Sequence, residues 1–189
     1  LTDKCFTGLI ENISKLNGEI QRFSIENMTL SADSWNYLFY AFDAFKPWDT
    51  LECCDFNGID LKMATPEDVS KSILILQRRC RFIQQLSLSN WVQPIPIAID
   101  SFSHSSALNQ LILQKQDFTE PINEATRLPS YIFYIDVSQS TFSLASLQSF
   151  FKLLLSIPKK PIVLNFADIC MPENAWPSFY SSLSSLKDI

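Results

Sequence analysis

The sequence predicts an α/β fold, a right-handed solenoid arc of six similar units with parallel strands on the concave side and helices on the convex side. Three observations predict it. One apolar spacing recurs along the whole chain, each recurrence begins with a short strand-like run, and amphipathic helical stretches follow most of these runs. An ordinary α/β domain of alternating strands and helices is the alternative that the pattern leaves open.

The clearest unit covers residues 132–158, where apolar residues occupy relative positions 1, 4, 6 and 11. The other units begin at residues 20, 51, 83, 108 and 161, so successive units are 24 to 32 residues apart. Two slots are filled differently, by Gln93 at position 11 of the third unit and by Pro161 at position 1 of the sixth. The matching residues, in unit order, are Ile20, Phe23, Ile25 and Leu30; Leu51, Cys54, Phe56 and Leu61; Ile83, Leu86 and Leu88; Leu108, Leu111, Leu113 and Phe118; Ile132, Ile135, Val137 and Phe142; Leu164, Phe166 and Met171.

Over nearly all of the chain, this spacing resembles the L-x-x-L-x-L-x-x-N/C-x-L pattern of the leucine-rich repeat family, in its long, ribonuclease-inhibitor-like form. Position 9 departs from the family in every unit, since it holds Met28, Ile59, Trp91, Gln116, Ser140 and Ile169 in place of Asn or Cys. In the family that side chain bonds backbone groups in the turn after the strand. Its replacement therefore predicts less regular turns here.

The N-terminal elements follow from apolar stripes at helical spacing. Residues 3–16 are predicted to form a helix that Asn17-Gly18 ends, and residues 33–45 a second helix that Pro47 ends. The first stripe consists of Phe6, Leu9, Ile10, Ile13 and Leu16. The second consists of Trp35, Leu38, Phe39, Phe42 and Phe45.

The later units differ in how much helix they can hold. A helix is predicted to start at Thr65-Pro66-Glu67-Asp68, with a buried stripe (Val69, Ile73, Leu76) and a solvated basic cluster (Lys71, Arg78, Arg79, Arg81). Pro94 and Pro96 prevent a helix before about Ile97 in the third unit. A weak helix between Glu120-Pro121 and Pro129 is predicted in the fourth. The inward residues of the last two helices are Leu144, Leu147, Phe151 and Leu154, then Phe179, Leu183 and Leu186.

The chain reads as a single domain over residues 1–189, and no stretch has the composition of a linker. Repeat stacks need terminal units with a polar outer surface, and neither end of this chain carries one. We therefore expect the sequence to be a fragment of a longer chain, flanked by further repeats or domains of its own.

Composition excludes several classes of protein. The net charge of −5 argues against nucleic-acid binding, and three glycines without a P-loop argue against a nucleotide cofactor. Five cysteines without C-x-x-C and a single histidine predict neither a metal site nor a disulfide framework. The unpaired cysteines are simplest to explain as reduced thiols, so a cytoplasmic location is expected, and the sequence contains no membrane span or signal peptide. Two N-x-S/T sequons, at Asn12 and Asn27, leave a secreted context open.

Catalysis finds little support in the sequence. His104 lies in a serine-rich stretch, so a small hydrolase that pairs it with Ser103 or Ser105 is the enzyme alternative, but no G-x-S-x-G elbow accompanies it. Asp55 and Asp136 are predicted on one sheet face with two strands between them, which places them about 14 Å apart, too far to act as a carboxylate pair. We therefore expect a protein that is not an enzyme and has no cofactor.

The predicted function is a protein–protein interaction scaffold that presents its concave face, formed by positions 3, 5 and 7 of each strand. On that face we expect Ile112, Tyr134 and Val163 to form one partner-binding patch with Asp136 at its rim. The long irregular repeats are similar to those of CARMIL-type actin regulators, which implies a cytoskeletal or regulatory role. The alternative is the substrate-recognition arm of an F-box-type ubiquitin ligase receptor.

Overall fold

The fold is a parallel six-stranded sheet with helices, seen in a computed structural model that describes residues 3–62, 65, 67–68, 71, 83–91, 107–122, 126–158 and 163–187. The strands follow one another across the sheet in chain order. They are β1 (Arg22–Glu26), β3 (Cys53–Asn57), β5 (Gln85–Ser87), β6 (Gln110–Ile112), β8 (Tyr134–Asp136) and β10 (Val163–Asn165). The predicted α/β class with a parallel sheet is confirmed.

Each strand pairs with the next so that equal positions of the repeat lie side by side. Cys54 is opposite Phe23 and Leu86, and Ile135 is opposite Leu111 and Leu164. At positions 4 and 6 the four inner strands are at most 1% exposed, which makes these side chains the sheet's contribution to the core. The register deduced from the apolar spacing is therefore correct within the described strands.

The turn after each strand of the sheet has the same geometry. Position 8 adopts a positive φ of 52° to 60° in all six units, at Asn27, Gly58, Asn90, Lys115, Gln139 and Asp168. In the first five, its N–H donates to the position 7 carbonyl of the following unit at 2.8–3.0 Å. The predicted irregularity of the turns is wrong, because this backbone ladder fixes them.

Polar side chains at position 9 still bond backbone groups where they occur. The Gln116 amide donates to the Leu88 carbonyl at 2.8 Å, and the Ser140 hydroxyl donates to the Leu113 carbonyl at 3.2 Å. Both side chains are buried, at 4% and 1% exposure. Both side chains thus bond the backbone of the preceding unit.

Two short ladders follow the turns. β2 (Thr29–Ser31) pairs with β4 (Asp60–Lys62), and β7 (Asp117–Phe118) pairs with β9 (Thr141–Phe142). Each places the apolar residue of position 11 in the core, at Leu30, Leu61, Phe118 and Phe142.

Four α-helices are described: α1 (Asp3–Ser14), α2 (Ala32–Ala44), α3 (Leu144–Ser156) and α4 (Trp176–Lys187), with short 3-10 turns at Lys46–Trp48 and Glu173–Ala175. Ser31 caps α2 by accepting from the Ser34 N–H at 3.2 Å. Ser143 caps α3 in the same way, with Ser146 completing a capping box. The predicted inward residues of α2 and α3 are buried, except Phe45 and Leu144, which are half-buried against the core, as are Leu183 and Leu186 of α4.

The first helix corrects the predicted stripe. Phe6 and Ile10 are fully buried and Ile13 partly so, but Leu9 and Leu16 are 47% and 57% exposed. Burial follows an i, i+4, i+8 line that ends on Ser14, whose hydroxyl accepts from the Trp48 indole N–H at 3.4 Å. The helix ends at Ser14, so Leu16 lies beyond it.

The fourth unit also departs from its prediction. No described residue between 119 and 131 is helical; residues 123–125 of this segment lie outside the description. The Ile122 N–H donates to the Ser149 hydroxyl of α3 at 2.8 Å, which ties this segment to the helix of the following unit. Ile122, Thr126 and Leu128 are nevertheless buried, so an irregular segment covers this part of the core.

The predicted N-cap at Thr65 is described, and its hydroxyl accepts from the Asp68 N–H at 3.2 Å.

Several other predictions concern residues outside the description. They are the stripe and the arginines of the helix after Thr65, the prolines of the third unit, Pro161, and His104 with its serine neighbours.

Candidate protein-binding face of the sheet

One face of the six-stranded sheet is formed by positions 3, 5 and 7, and we call it the sheet face. The strand register aligns these positions from unit to unit. Position 7 shares the face with position 5, because Asn57 contacts Ser87 and Gln114 contacts Asp136. Its members are Arg22, Ser24 and Glu26; Cys53, Asp55 and Asn57; Gln85, Ser87 and Ser89; Gln110, Ile112 and Gln114; Tyr134, Asp136 and Ser138; Val163, Asn165 and Ala167.

The structure brings the four predicted site residues together. Tyr134 lies directly beside Val163 in the β8–β10 register, and Ile112 lies directly beside Asp136 in the β6–β8 register. Val163 is 42% exposed, while Ile112 and Tyr134 are half-buried. These three side chains form the apolar patch.

Asp136 is not at the rim of the apolar patch, as predicted, but buried at 3% exposure. Its Oδ2 accepts from the Tyr134 hydroxyl at 2.9 Å, from the Gln114 amide at 2.9 Å and from the Asn165 amide at 3.0 Å. Its Oδ1 accepts from the Ser138 backbone N–H at 2.9 Å. The carboxylate therefore joins β8 to side chains from both neighbouring units, and four donors satisfy it.

Electrostatics agree with this arrangement. Burial alone would raise the pKa of Asp136, but the bonds from Ser138, Gln114 and Tyr134 outweigh it and hold that pKa below its ordinary value. Burial raises the pKa of Tyr134, and its hydrogen bond to the Asp136 carboxylate raises it further. Tyr134 thus stays a neutral donor, fixed at its hydroxyl, with its ring beside Val163.

A second polar cluster lies nearer the N-terminal end of the sheet face. The Asn57 side-chain oxygen accepts from the Ser87 hydroxyl at 2.8 Å and from the Ser89 N–H at 3.3 Å. The sequence predicts an outward Ser87 whose loss would be almost neutral, yet Ser87 is only 4% exposed. Ser87 lies on the predicted face, but neighbouring units on both sides cover it there, and the small effect of its loss stays a prediction.

Asp55 contrasts with Asp136 on the same face. Its Oδ1 is buried and has no hydrogen-bond partner among the described residues. Burial raises the pKa of Asp55 and the charge of Glu26 adds to it, while Ser87 and Arg22 lower it by less. The folded chain therefore disfavours the charged form of Asp55.

Replacing Asp55 with Asn should leave the chain at least as stable as the wild type at pH 7. A carboxyl whose pKa is raised by folding weakens the folded state above that pKa, and the penalty disappears as the pH falls through it. The advantage of Asp55→Asn should therefore shrink between pH 7 and pH 4, as measured by urea denaturation at each pH. If the stability advantage of Asp55→Asn over the wild type grew as the pH fell, that result would contradict a raised pKa of Asp55.

The two aspartates do not form a catalytic pair. Asp55, Ser87, Ile112 and Asp136 occupy successive strands at one position, so three strand steps of about 4.8 Å separate the carboxyl groups by roughly 14 Å. This confirms the separation predicted from the sequence. Within the described residues, no group of three or more His, Cys, Asp or Glu side chains could hold a metal ion.

Sequence reasoning missed the side chains that hold Asp136. Gln114 and Asn165 were assigned to the face but to no role, and so was Ser138, which contributes its backbone N–H. A local signal exists: a position 5 Asp or Asn can accept from the N–H two residues later, as Asp136 and Asn165 do with Ser138 and Ala167 at 2.9 and 3.0 Å.

No protein-family model matches the sequence, and no curated protein matches it. None of the helices in the described parts of the chain has the length and apolar content to cross a membrane.

Proposed function

We propose that the six units form a leucine-rich-repeat solenoid arc, with the sheet face on its concave side and the helices on its convex side. Two observations support the proposal. The strands of the six-stranded sheet pair in chain order with equal repeat positions opposite each other, and position 8 has a left-handed backbone in all six units. A stack of equivalent units of this kind is quasi-one-dimensional and exposes one continuous face.

On this arc, the apolar patch would bind a protein partner without catalysis, as in an interaction scaffold. The observation that carries this function is the buried Asp136 carboxylate, which lies beside Ile112 and holds the hydroxyl of Tyr134, the residue beside Val163. A side chain ordered before binding loses little entropy on binding, and aromatic residues held in this way are typical interface anchors.

The partner would insert an aliphatic or aromatic side chain at the patch and carry basic residues around it. The Asp136 carboxylate already accepts from four donors of the chain itself. The patch therefore offers a partner apolar contact area and few hydrogen bonds. The charged residues of the sheet face are one base, Arg22, and three acids, Glu26, Asp55 and Asp136, and the whole chain carries −5. This charge favours a basic partner.

Tyr134→Ala should weaken binding of such a partner by about 1.5 kcal/mol or more, because it removes the central anchor of the patch. The matched control is Ser24→Ala, an exposed position 5 residue at the other end of the sheet face, which should change affinity by less than about 0.5 kcal/mol. The partner is first recovered by affinity capture with the wild-type chain and then titrated calorimetrically against both variants.

Folding of the Tyr134 variant is checked by circular dichroism before titration. Wild-type affinity in a folded Tyr134→Ala chain would exclude the patch as the binding site. An equal loss in both variants would also exclude it, because that result points to a general effect on the face.

A further inference from the structure

The two edges of the six-stranded sheet are not equivalent. At the β10 edge, the core residues of the sixth unit, Leu164, Phe166, Ile169 and Met171, are all half-buried. Their equivalents in the fifth unit, Ile135, Val137, Ser140 and Phe142, are each 1% exposed. One unit further on, the same layer of the repeat is thus open along positions 4, 6, 9 and 11.

The β1 edge is better covered. Phe23 is 9% exposed and Leu30 is fully buried, and α1 packs against α2 at this end. Of positions 4, 6, 9 and 11 at this edge, positions 6 and 9 are half-buried, at Ile25 and Met28, as is Ile20 at position 1. The opening is therefore most complete at β10.

The backbone at the β10 edge is also prepared for another strand. In the junction between the fifth and sixth units, the N–H groups of Val137, Gln139 and Phe142 donate to the carbonyls of Asn165, Ala167 and Cys170 at 3.0, 2.8 and 2.8 Å. The same positions in the sixth unit are Phe166, Asp168 and Met171. Because the units share one register and one turn geometry, these three N–H groups point away from β8, to the side where no described strand lies.

We propose that the outer edge of β10 binds an extended protein segment as a seventh parallel strand, with apolar residues of that segment at repeat positions 4, 6 and 11. The occupant follows from continuity with the β8–β10 junction, where a strand of this pattern already covers the same positions. Its carbonyls at positions 5, 7 and 10 would accept from Phe166, Asp168 and Met171, and its apolar side chains would cover the half-buried row. Edge strands with unpaired backbone groups bind extended segments in this way.

The probe for this site is a synthetic peptide of residues 132–142, which has the required pattern. Added to the 189-residue chain, it should slow hydrogen exchange at the Phe166, Asp168 and Met171 amides by at least about tenfold. Exchange at the Asn27 amide, which bonds the Asn57 carbonyl inside the β1–β3 junction, should not change. No slowing at the three β10-edge amides, at peptide concentrations up to the solubility limit, would overturn the proposal.

Two N-methylated peptides test the register. In a parallel strand, successive N–H groups point to opposite edges, so the N–H of residue 136 in the peptide would face β10 and that of residue 137 would face away. Methylation at 136 should therefore abolish the protection, and methylation at 137 should preserve it. Equal effects of the two peptides would overturn the proposal.

This site is separate from the apolar patch. The Tyr134→Ala chain keeps the backbone donors of the β10 edge, so it should protect these amides as the wild type does. Loss of protection in that variant, with its fold intact, would contradict an edge site, while loss of partner binding alone would concern only the sheet face.

Discussion

Phe56→Ala should lower the free energy of unfolding by about 3–5 kcal/mol, the range for removing a buried phenylalanine from a packed core. Phe56 is fully buried at position 6 of β3. Its ring makes edge or tilted contacts with Phe23, Trp35 and Phe39 at centroid distances of 6.1, 5.3 and 6.1 Å. These three large rings cannot collapse into the space that the substitution leaves, so most of the cavity should persist.

Urea denaturation, followed by circular dichroism, measures this loss. The matched control is Ser24→Ala, in the neighbouring strand but on the exposed face, which should change the free energy of unfolding by less than about 0.5 kcal/mol. Equal losses in the two variants would mean that the face assignment of β1 and β3 is wrong.

Asp136→Asn should cost about 2–4 kcal/mol, although it changes one atom. The amide has only one oxygen, so its NH₂ group must face either the Ser138 N–H or the three donors from Tyr134, Gln114 and Asn165. Buried donors left facing another donor lose their bonds and cannot reach water, which is the expensive case for a polar substitution. Thermal or urea unfolding at pH 7 measures the loss.

The same substitution should depend on pH in a defined direction. Folding lowers the pKa of Asp136, so its carboxylate stabilises the folded chain above the unfolded pKa, and this stabilisation is lost as the pH falls through the folded value. The difference between wild type and Asp136→Asn should thus be full at pH 7 and shrink below about pH 4. Gln114→Ala is the control, since it removes one donor of four and should cost about 1 kcal/mol. A pH-independent difference would contradict the role of the charge.

The strands and their faces were predictable because one repeated spacing encodes them. A residue at position 4 or 6 has apolar equivalents in the neighbouring units, so agreement between units locates the core even where a single unit is ambiguous. The same reasoning failed for α1, which has no repeated partner in the sequence: Leu9 fits a helical stripe but lies outside the line that Phe6 and Ile10 bury. It also failed in the fourth unit, where the described residues between 119 and 131 are not helical.

The candidate site was predictable as a neighbourhood but not as an arrangement. Alternation along a strand and register across strands place Ile112, Tyr134 and Val163 together. Neither rule says that Asp136 is covered on this face, because that depends on amide groups from two other units converging on one carboxylate. Whether a charged residue can be buried depends on how many hydrogen-bond donors surround it. The sequence pattern of one strand does not contain that number.

The residue at position 8 has the same backbone conformation in every unit, although its side chain differs between units. Four amino acids other than glycine hold the left-handed turn, and Asn27, Asn90, Lys115, Gln139 and Asp168 all expose their side chains. The left-handed conformation costs an L-residue roughly 1 kcal/mol or more, so Gly, as at residue 58, would be the relaxed choice. Five of the six units nevertheless have a residue other than glycine at this position. Their exposed amide, basic and acidic side chains form a row at the end of the sheet. The end of the sheet thus carries a row of chemically varied side chains on one repeated backbone conformation.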